Sequence, residues 1–214
     1  MNRDLPLQQL VAAAGAALCE ELPRVPQHLL RLAGEGGAVE LTQLLHLKNG
    51  FYAFAQALHV LPAGTVREGF DLVAWNDAAL WRGDYGEAAE GYLFFAQNLF
   101  GDQFAHRNNR VYRFDPETGL MEHFADSLVG WAARILDDPE EVGFLTALAW
   151  QQAHGDIPVG KRLFSKIPFV LGGTAAIDNL YLGDPLDALR WRADLARQLK
   201  CLVPGTSVRL VIED

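Results

Sequence analysis

At 214 residues, half of them apolar and about a fifth charged, the chain has the ordinary composition of a globular protein with enough length for a sizeable core. No apolar run approaches the ~20 residues that cross a bilayer, and the net charge of −9 argues against direct nucleic-acid binding. The acidic excess is local: residues 67–158 carry 16 acidic and 6 basic side chains, whereas residues 159–214 carry 6 and 8.

Leu5 to Glu21 has apolar residues at helical spacing and reads as a helix. Its VAAAGAALC stretch is small and apolar, but Pro6, Gln8 and Gln9 precede it and Glu20-Glu21 follow. A helix is therefore expected in place of a signal peptide, and a cytoplasmic location with it. Pro23 and Pro26 interrupt. A second helix is expected over Pro26 to Ala33, then a flexible break at Gly34-Glu35-Gly36-Gly37, then a third helix over Val39 to Lys48 stopped by Asn49-Gly50. Phe51 to Val60 reads as one strand, and Leu61 to Gly64 as a turn.

Residues 66–91 are the least regular. Phe70 to Trp75 suits helix or strand, Asn76-Asp77 can cap a short helix over Ala78 to Trp81, and the Gly-rich, acidic 82–91 stretch reads as loop. Trp81 and Tyr85 lie there among Asp77, Asp84, Glu87 and Glu90. Aromatic anchors among acids are a pattern expected of a protein interface, although tryptophans more often fill a core.

Tyr92 to Phe124 carries the strongest signals. Tyr92 to Gln97 suits a buried strand, Asn98 to Asp102 a turn, Gln103 to Arg107 a second strand, and Arg110 to Phe114 a third. Asp115-Pro116-Glu117-Thr118-Gly119 has Pro early and Gly late, a hairpin pattern that sets Arg113 opposite Glu122 on the return strand Leu120 to Phe124. Asp126 or Ser127 then caps a helix to Leu136, and Asp138-Pro139 opens another to about Ala153. Residues 155–161 read as a linker. The tail is expected as strand (Pro168 to Leu171), turn, strand (Ile177 to Leu182), a helix with Asp184 as N-cap and Pro185 at its first position, and a strand over Ser207 to Ile212.

Nothing in the chain selects a catalytic constellation. The six histidines never fall at i, i+3 or i, i+4, although His106 and His123 sit on neighbouring strands. Cys19 and Cys201 match no metal or redox spacing and read as buried free thiols. There is no phosphate-binding loop and no Gly-x-Ser-x-Gly. Asp102 sits in a Gly-Asp loop between strands, where a carboxylate would fix the loop or touch a partner. No cofactor or metal is expected.

LLHLKNGFYAF, FFAQNLFGDQFAHR and VYRFDPETG, with the strand and helix that follow, resemble the SUKH superfamily. That superfamily includes a fungal regulator of cell-wall synthesis and many bacterial immunity proteins. The resemblance rests on Asn49-Gly50, on Tyr92 to Asn98, on Gly101-Asp102 and on Arg110 to Phe124. The tail PFVLGGTAAIDNLYLGDPLDALRWRADLAR also looks like the C-terminal part of longer bacterial members. It implies an α+β fold: a mostly antiparallel central sheet flanked by helices over residues 1–156, with a β-β-α-β extension over residues 157–214 packed on the same domain. It further implies a non-enzymatic protein that binds and neutralises a cognate toxin, in this superfamily often a nuclease, by covering the active site. The candidate toxin-binding residues are Asp77, Trp81, Asp84, Tyr85, Glu87, Glu90 and Asp102. A regulatory scaffold and a carboxylate-dependent hydrolase are the alternatives.

Overall fold

The hairpin chemistry of residues 92–124 builds the centre of the molecule. The computed structural model describes residues 5–202. Its main sheet has six antiparallel strands in sequence order: β1 (Phe51–Ala53), β2 (Leu58–Val60), β3 (Leu93–Gln97), β4 (Gln103–Arg107), β5 (Arg110–Asp115) and β6 (Leu120–Ala125). At the β5–β6 turn the Asp115 carboxylate accepts from Glu117 N (2.8 Å) and Thr118 Oγ1 (2.7 Å), and Gly119 takes φ 68°. Arg113 pairs in register with Glu122 and bonds it at 3.2 Å. The fold is α+β.

One face is covered by α1 (Leu5–Ala12), α3 (Glu35–Leu47) and α6 (Leu128–Asp137), which pack on one another. Ser127 caps α6 by accepting from Gly130 N at 3.0 Å. Trp131 of α6 meets Phe95 and Phe104 edge-on, with ring centroids 5.1 and 5.7 Å away. The other face carries Phe94 and Phe114, covered by Trp75 and Trp81 from the 71–90 segment. Phe94 and Phe95 thus serve opposite cores, which is why β3 is buried along its whole length.

After α7 (Phe144–His154) the chain forms a separate two-stranded sheet of β7 (Arg162–Ser165) and β8 (Leu180–Gly183), then α8 (Pro185–Lys200). Asp184 caps α8 by accepting from Leu186 N at 2.9 Å, with Pro185 at its first position. This unit sits on the main sheet through Leu163 N to Leu99 O (3.0 Å) and Arg192 to Phe100 O (2.7 Å). It is closed by a buried ion pair between Arg192 and Glu117 at 3.3 Å, in which both side chains are under 5 % exposed.

Several expectations need correction. The first helix ends at Ala12, because the chain beyond it pairs with β1: Ala14 bridges Ala53, and Gly15 N donates to Tyr52 O at 2.8 Å. Lys48 Nζ gathers the freed carbonyls of Val11, Ala14 and Gly15 at 2.7–3.1 Å. The 34–37 stretch is no flexible break, since α3 starts at Glu35. Gly37 is needed inside it, as a Cβ there would come within 2.9 Å of the His106 ring. Residues 51–60 form two strands around a tight turn instead of one strand. Residues 83–89 are short helical turns, not loop. In the tail, the strand is Arg162–Ser165, and residues 169–171 form a 3₁₀ turn. Cys19 is buried but Cys201 is exposed. The strand expected over Ser207 to Ile212 lies outside the described residues.

His106 and His123 do not meet. Tyr112 faces both Ala105 and His123 across the strands, so His106, next to Ala105, points to the opposite face. His106 is fully buried, neither ring nitrogen has a hydrogen-bond partner of good geometry among the described residues, and burial pulls its pKa down to about 4 against the opposing pull of the nearby Arg110 backbone. An unfolded histidine titrates at about 6.5. Below that value the unfolded chain takes up a proton that the folded chain refuses. Stability is therefore complete above pH ~6.5 and falls as pH drops towards 4, by on the order of 3 kcal/mol. His59, also held neutral by burial, adds to the same slope. Urea unfolding at neutral pH and near pH 4.5 should show the loss, and His106→Leu should reduce it. An unchanged slope in that variant would place the acid sensitivity elsewhere.

Candidate functional site: an acidic face at residues 71–90

The segment that covers the second face of the sheet begins at Asp71, which caps α4 (Leu72–Trp75) by accepting from Ala74 N at 2.8 Å. Asn76 then fastens the segment to β3: its Nδ2 donates to Phe94 O (2.7 Å) and its Oδ1 accepts from Phe94 N (2.9 Å). Asp77 accepts from Ala79 N at 2.9 Å and opens a single π-helical turn, Ala78–Arg82. The expectation of a short capped helix here was right in place and cap.

Trp81 does not serve the surface. It is 1 % exposed, and its indole N–H donates to Trp75 O at 2.9 Å. Its ring contacts Phe94, Tyr85 and Phe114. The indole offers a large apolar area, and the sheet face beneath it is the place that area can be removed from water. Tyr85 is half-buried. Its hydroxyl lies 3.0 Å from Pro116 O and 2.9 Å from Leu189 O, its one proton serving one at a time, so it joins this segment to the β5–β6 turn and to α8. Burial pushes the Tyr85 phenol well above its ordinary pKa. Arg82 also turns inward, donating to Asn76 O (2.7 Å) and Ala89 O (2.8 Å) with its guanidinium over Phe94.

The acids face outward. Asp77, Asp84, Glu87 and Glu90 are exposed, and among the described residues none has a cation within ion-pair distance. Four carboxylates within fourteen residues thus stand on a segment whose Trp81 is buried and whose Arg82 and Tyr85 are half-buried against Phe94 and Phe114. Asp102 does not belong to this strip. It lies in the β3–β4 loop, where its carboxylate accepts from Asn98 Nδ2 at 3.0 Å and Asp102 N donates to Asn98 Oδ1 at 2.9 Å. Burial, and then the charge of Asp115, raise its pKa to about 6, while Arg192, Arg113 and the Asn98 bond oppose that rise. It fixes the loop.

A second polar constellation carries no local sequence signal. Trp75 Nε1 donates to Gln103 Oε1 (2.9 Å), Gln103 Nε2 reaches Gln97 Oε1 (3.4 Å), and Gln97 Nε2 lies 3.0 Å from His59 Nδ1. These residues come from three strands and a helix, and only the register of the sheet aligns them. Among the described residues no three His, Cys, Asp or Glu side chains come together as a metal site, and no helix is long and apolar enough to cross a membrane.

No family model matches the chain, and no curated protein does. Among solved structures, the chain is similar to Atu4351 from Agrobacterium tumefaciens, described as a crystal structure, with a TM-score of 0.56 and 12 % identity over 86 % of each chain. At that identity the likeness is one of fold.

Proposed function

We propose that this chain is a non-enzymatic inhibitor of a protein toxin, acting in the cytoplasm as an immunity protein of the kind the SUKH resemblance implies. The observation that carries this reading is the run of four exposed carboxylates at Asp77, Asp84, Glu87 and Glu90, none of them within ion-pair distance of a cation among the described residues. Such a strip suits a basic partner, above all an enzyme whose groove is built for phosphates. Carboxylates held where phosphates would lie attract that groove and cover it. The segment beneath them is fastened by Asn76, Trp81, Arg82 and Tyr85, so little ordering remains to oppose binding. The binding role assigned to Trp81 passes to these carboxylates.

The test is capture of the partner from the source organism, followed by kinetics. Charge at an interface rim acts chiefly on encounter. Asp84→Lys with Glu87→Lys should therefore lower the association rate by roughly tenfold or more at low salt and flatten its salt dependence. Dissociation should change less. Both positions are exposed, so the variant should melt like the parent. A double variant that associates normally removes this face from the interface.

A further inference from the structure

Away from the acidic strip, residues 17–21, the 65–70 loop and Val159-Gly160 surround a cleft of about 620 Å³ that is also lined by Tyr52 and His59. His59 is only 7 % exposed. Its tautomer follows from the polar chain behind it. An indole N–H can only donate, so Gln103 presents its carbonyl to Trp75 and its amide nitrogen to Gln97. Gln97 then accepts with its oxygen and donates its own nitrogen to His59 Nδ1. Nδ1 is the acceptor, and the ring proton of neutral His59 sits on Nε2, which among the described residues has no partner. The Tyr52 ring stacks on His59 at 4.4 Å, and its hydroxyl accepts from Gly160 N at 3.0 Å, leaving the phenol proton to donate.

The charge around the cleft is divided. Arg162, 1 % exposed, has its guanidinium 4.9 Å from the Tyr52 ring centre and donates to Gln56 O at 2.9 Å. Among the described residues its Nε and Nη2 have no partner and no carboxylate lies within ion-pair distance. Burial lowers its pKa to about 10, which leaves it cationic at neutral pH. The outer lining is acidic, with exposed Glu20, Glu21 and Glu68 against Arg67. The β1–β2 turn that joins Tyr52 to His59 is also strained. Phe54, Ala55 and Gln56 all have positive φ (54°, 51° and 67°), and Gln151 and Arg162 hold the carbonyls of Ala55 and Gln56. Three consecutive non-glycine residues in that region are costly and persist where surrounding contacts impose them.

We propose that this cleft binds a small zwitterion of amino-acid or short-peptide size. Its carboxylate accepts from His59 Nε2–H and Tyr52 O–H in the field of Arg162, and its ammonium group meets the carboxylates of Glu20, Glu21 and Glu68. A plain anion is repelled by the outer acids, and a plain cation finds no acceptor beside His59.

L-alanyl-L-alanine, its N-acetyl derivative and its C-terminal amide separate these contributions without altering the protein. Long-range ¹H–¹⁵N spectra of the histidine rings, with His59 assigned through His59→Gln, report on the inner contact, and calorimetry reports affinity. The free dipeptide should shift the His59 Nε2 resonance saturably, and each blocked form should bind roughly tenfold more weakly or worse. Glu20→Gln with Glu21→Gln, at exposed positions, should weaken the free dipeptide and its C-terminal amide, which both carry the ammonium, and strengthen the acetylated form, an anion that those acids no longer repel. Absence of a saturable His59 shift, or a blocked form that binds as tightly as the free dipeptide, overturns the proposal. Since the acidic strip takes no part, either result leaves the toxin-binding reading to its own test.

Discussion

Arg192→Ala should destabilise the protein by about 3–5 kcal/mol, because it leaves the Glu117 carboxylate buried without its cation. Glu117 lies in the β5–β6 turn and Arg192 on α8, 3.3 Å apart and almost completely covered. Glu117 also accepts from Val170 N at 2.9 Å, and Arg192 donates to Phe100 O at 2.7 Å with its guanidinium over Phe164. The pair therefore joins the central hairpin, the β3–β4 loop and the C-terminal unit at one point. Arg192→Met combined with Glu117→Gln removes both charges and keeps a carbonyl acceptor for Val170 N. That double variant should recover most of the loss. Urea unfolding of the two single variants and the double variant measures the coupling. If Arg192→Ala unfolds at the same urea concentration as the parent, α8 is not docked on the turn as described.

Trp81→Ala should cost about 3–5 kcal/mol of stability, the range for deleting a large buried aromatic side chain. The ring fills the space among Trp75, Tyr85, Phe94 and Phe114. Its removal also leaves Trp75 O without the indole donor. Thermal melting should register a large drop. At a temperature where the variant remains folded, its association rate with a captured partner should stay close to the parent value, since the exposed acids are retained. A Trp81→Ala protein that melts normally but dissociates quickly from its partner would return Trp81 to the interface. The charge-reversed pair at Asp84 and Glu87 gives the opposite pattern, unchanged melting and slow association, so the two experiments separate core from surface within one segment.

The amino-acid sequence by itself determined the features whose physical causes lie within a few residues. The turn at Asp115 to Gly119 is one, since Asp115 bonds the backbone two residues on and Gly119 supplies the positive φ. The register that sets Arg113 against Glu122 follows from that turn. The caps at Asp77, Ser127 and Asp184 are others, each a side-chain oxygen accepting from a backbone N–H two or three residues ahead. The acidity of residues 77–90 was equally legible, because charge is composition.

Tertiary structure decided whatever depends on a distant partner. Local periodicity continues the first helix to Glu21, but the edge of β1 and the Lys48 ammonium offer the backbone after Ala12 better hydrogen bonds. Glycines 36 and 37 read as a break, yet the bulk of His106 requires a residue without Cβ on that face of α3. Trp81 has the same neighbours in sequence whether it anchors a partner or fills a core, and Phe94 and Phe114, brought beneath it by strand pairing, make it core. The line from Trp75 to His59 crosses strands far apart in the chain. No spacing rule encodes it, because its geometry exists only once the sheet has closed and its register has set those side chains on one row.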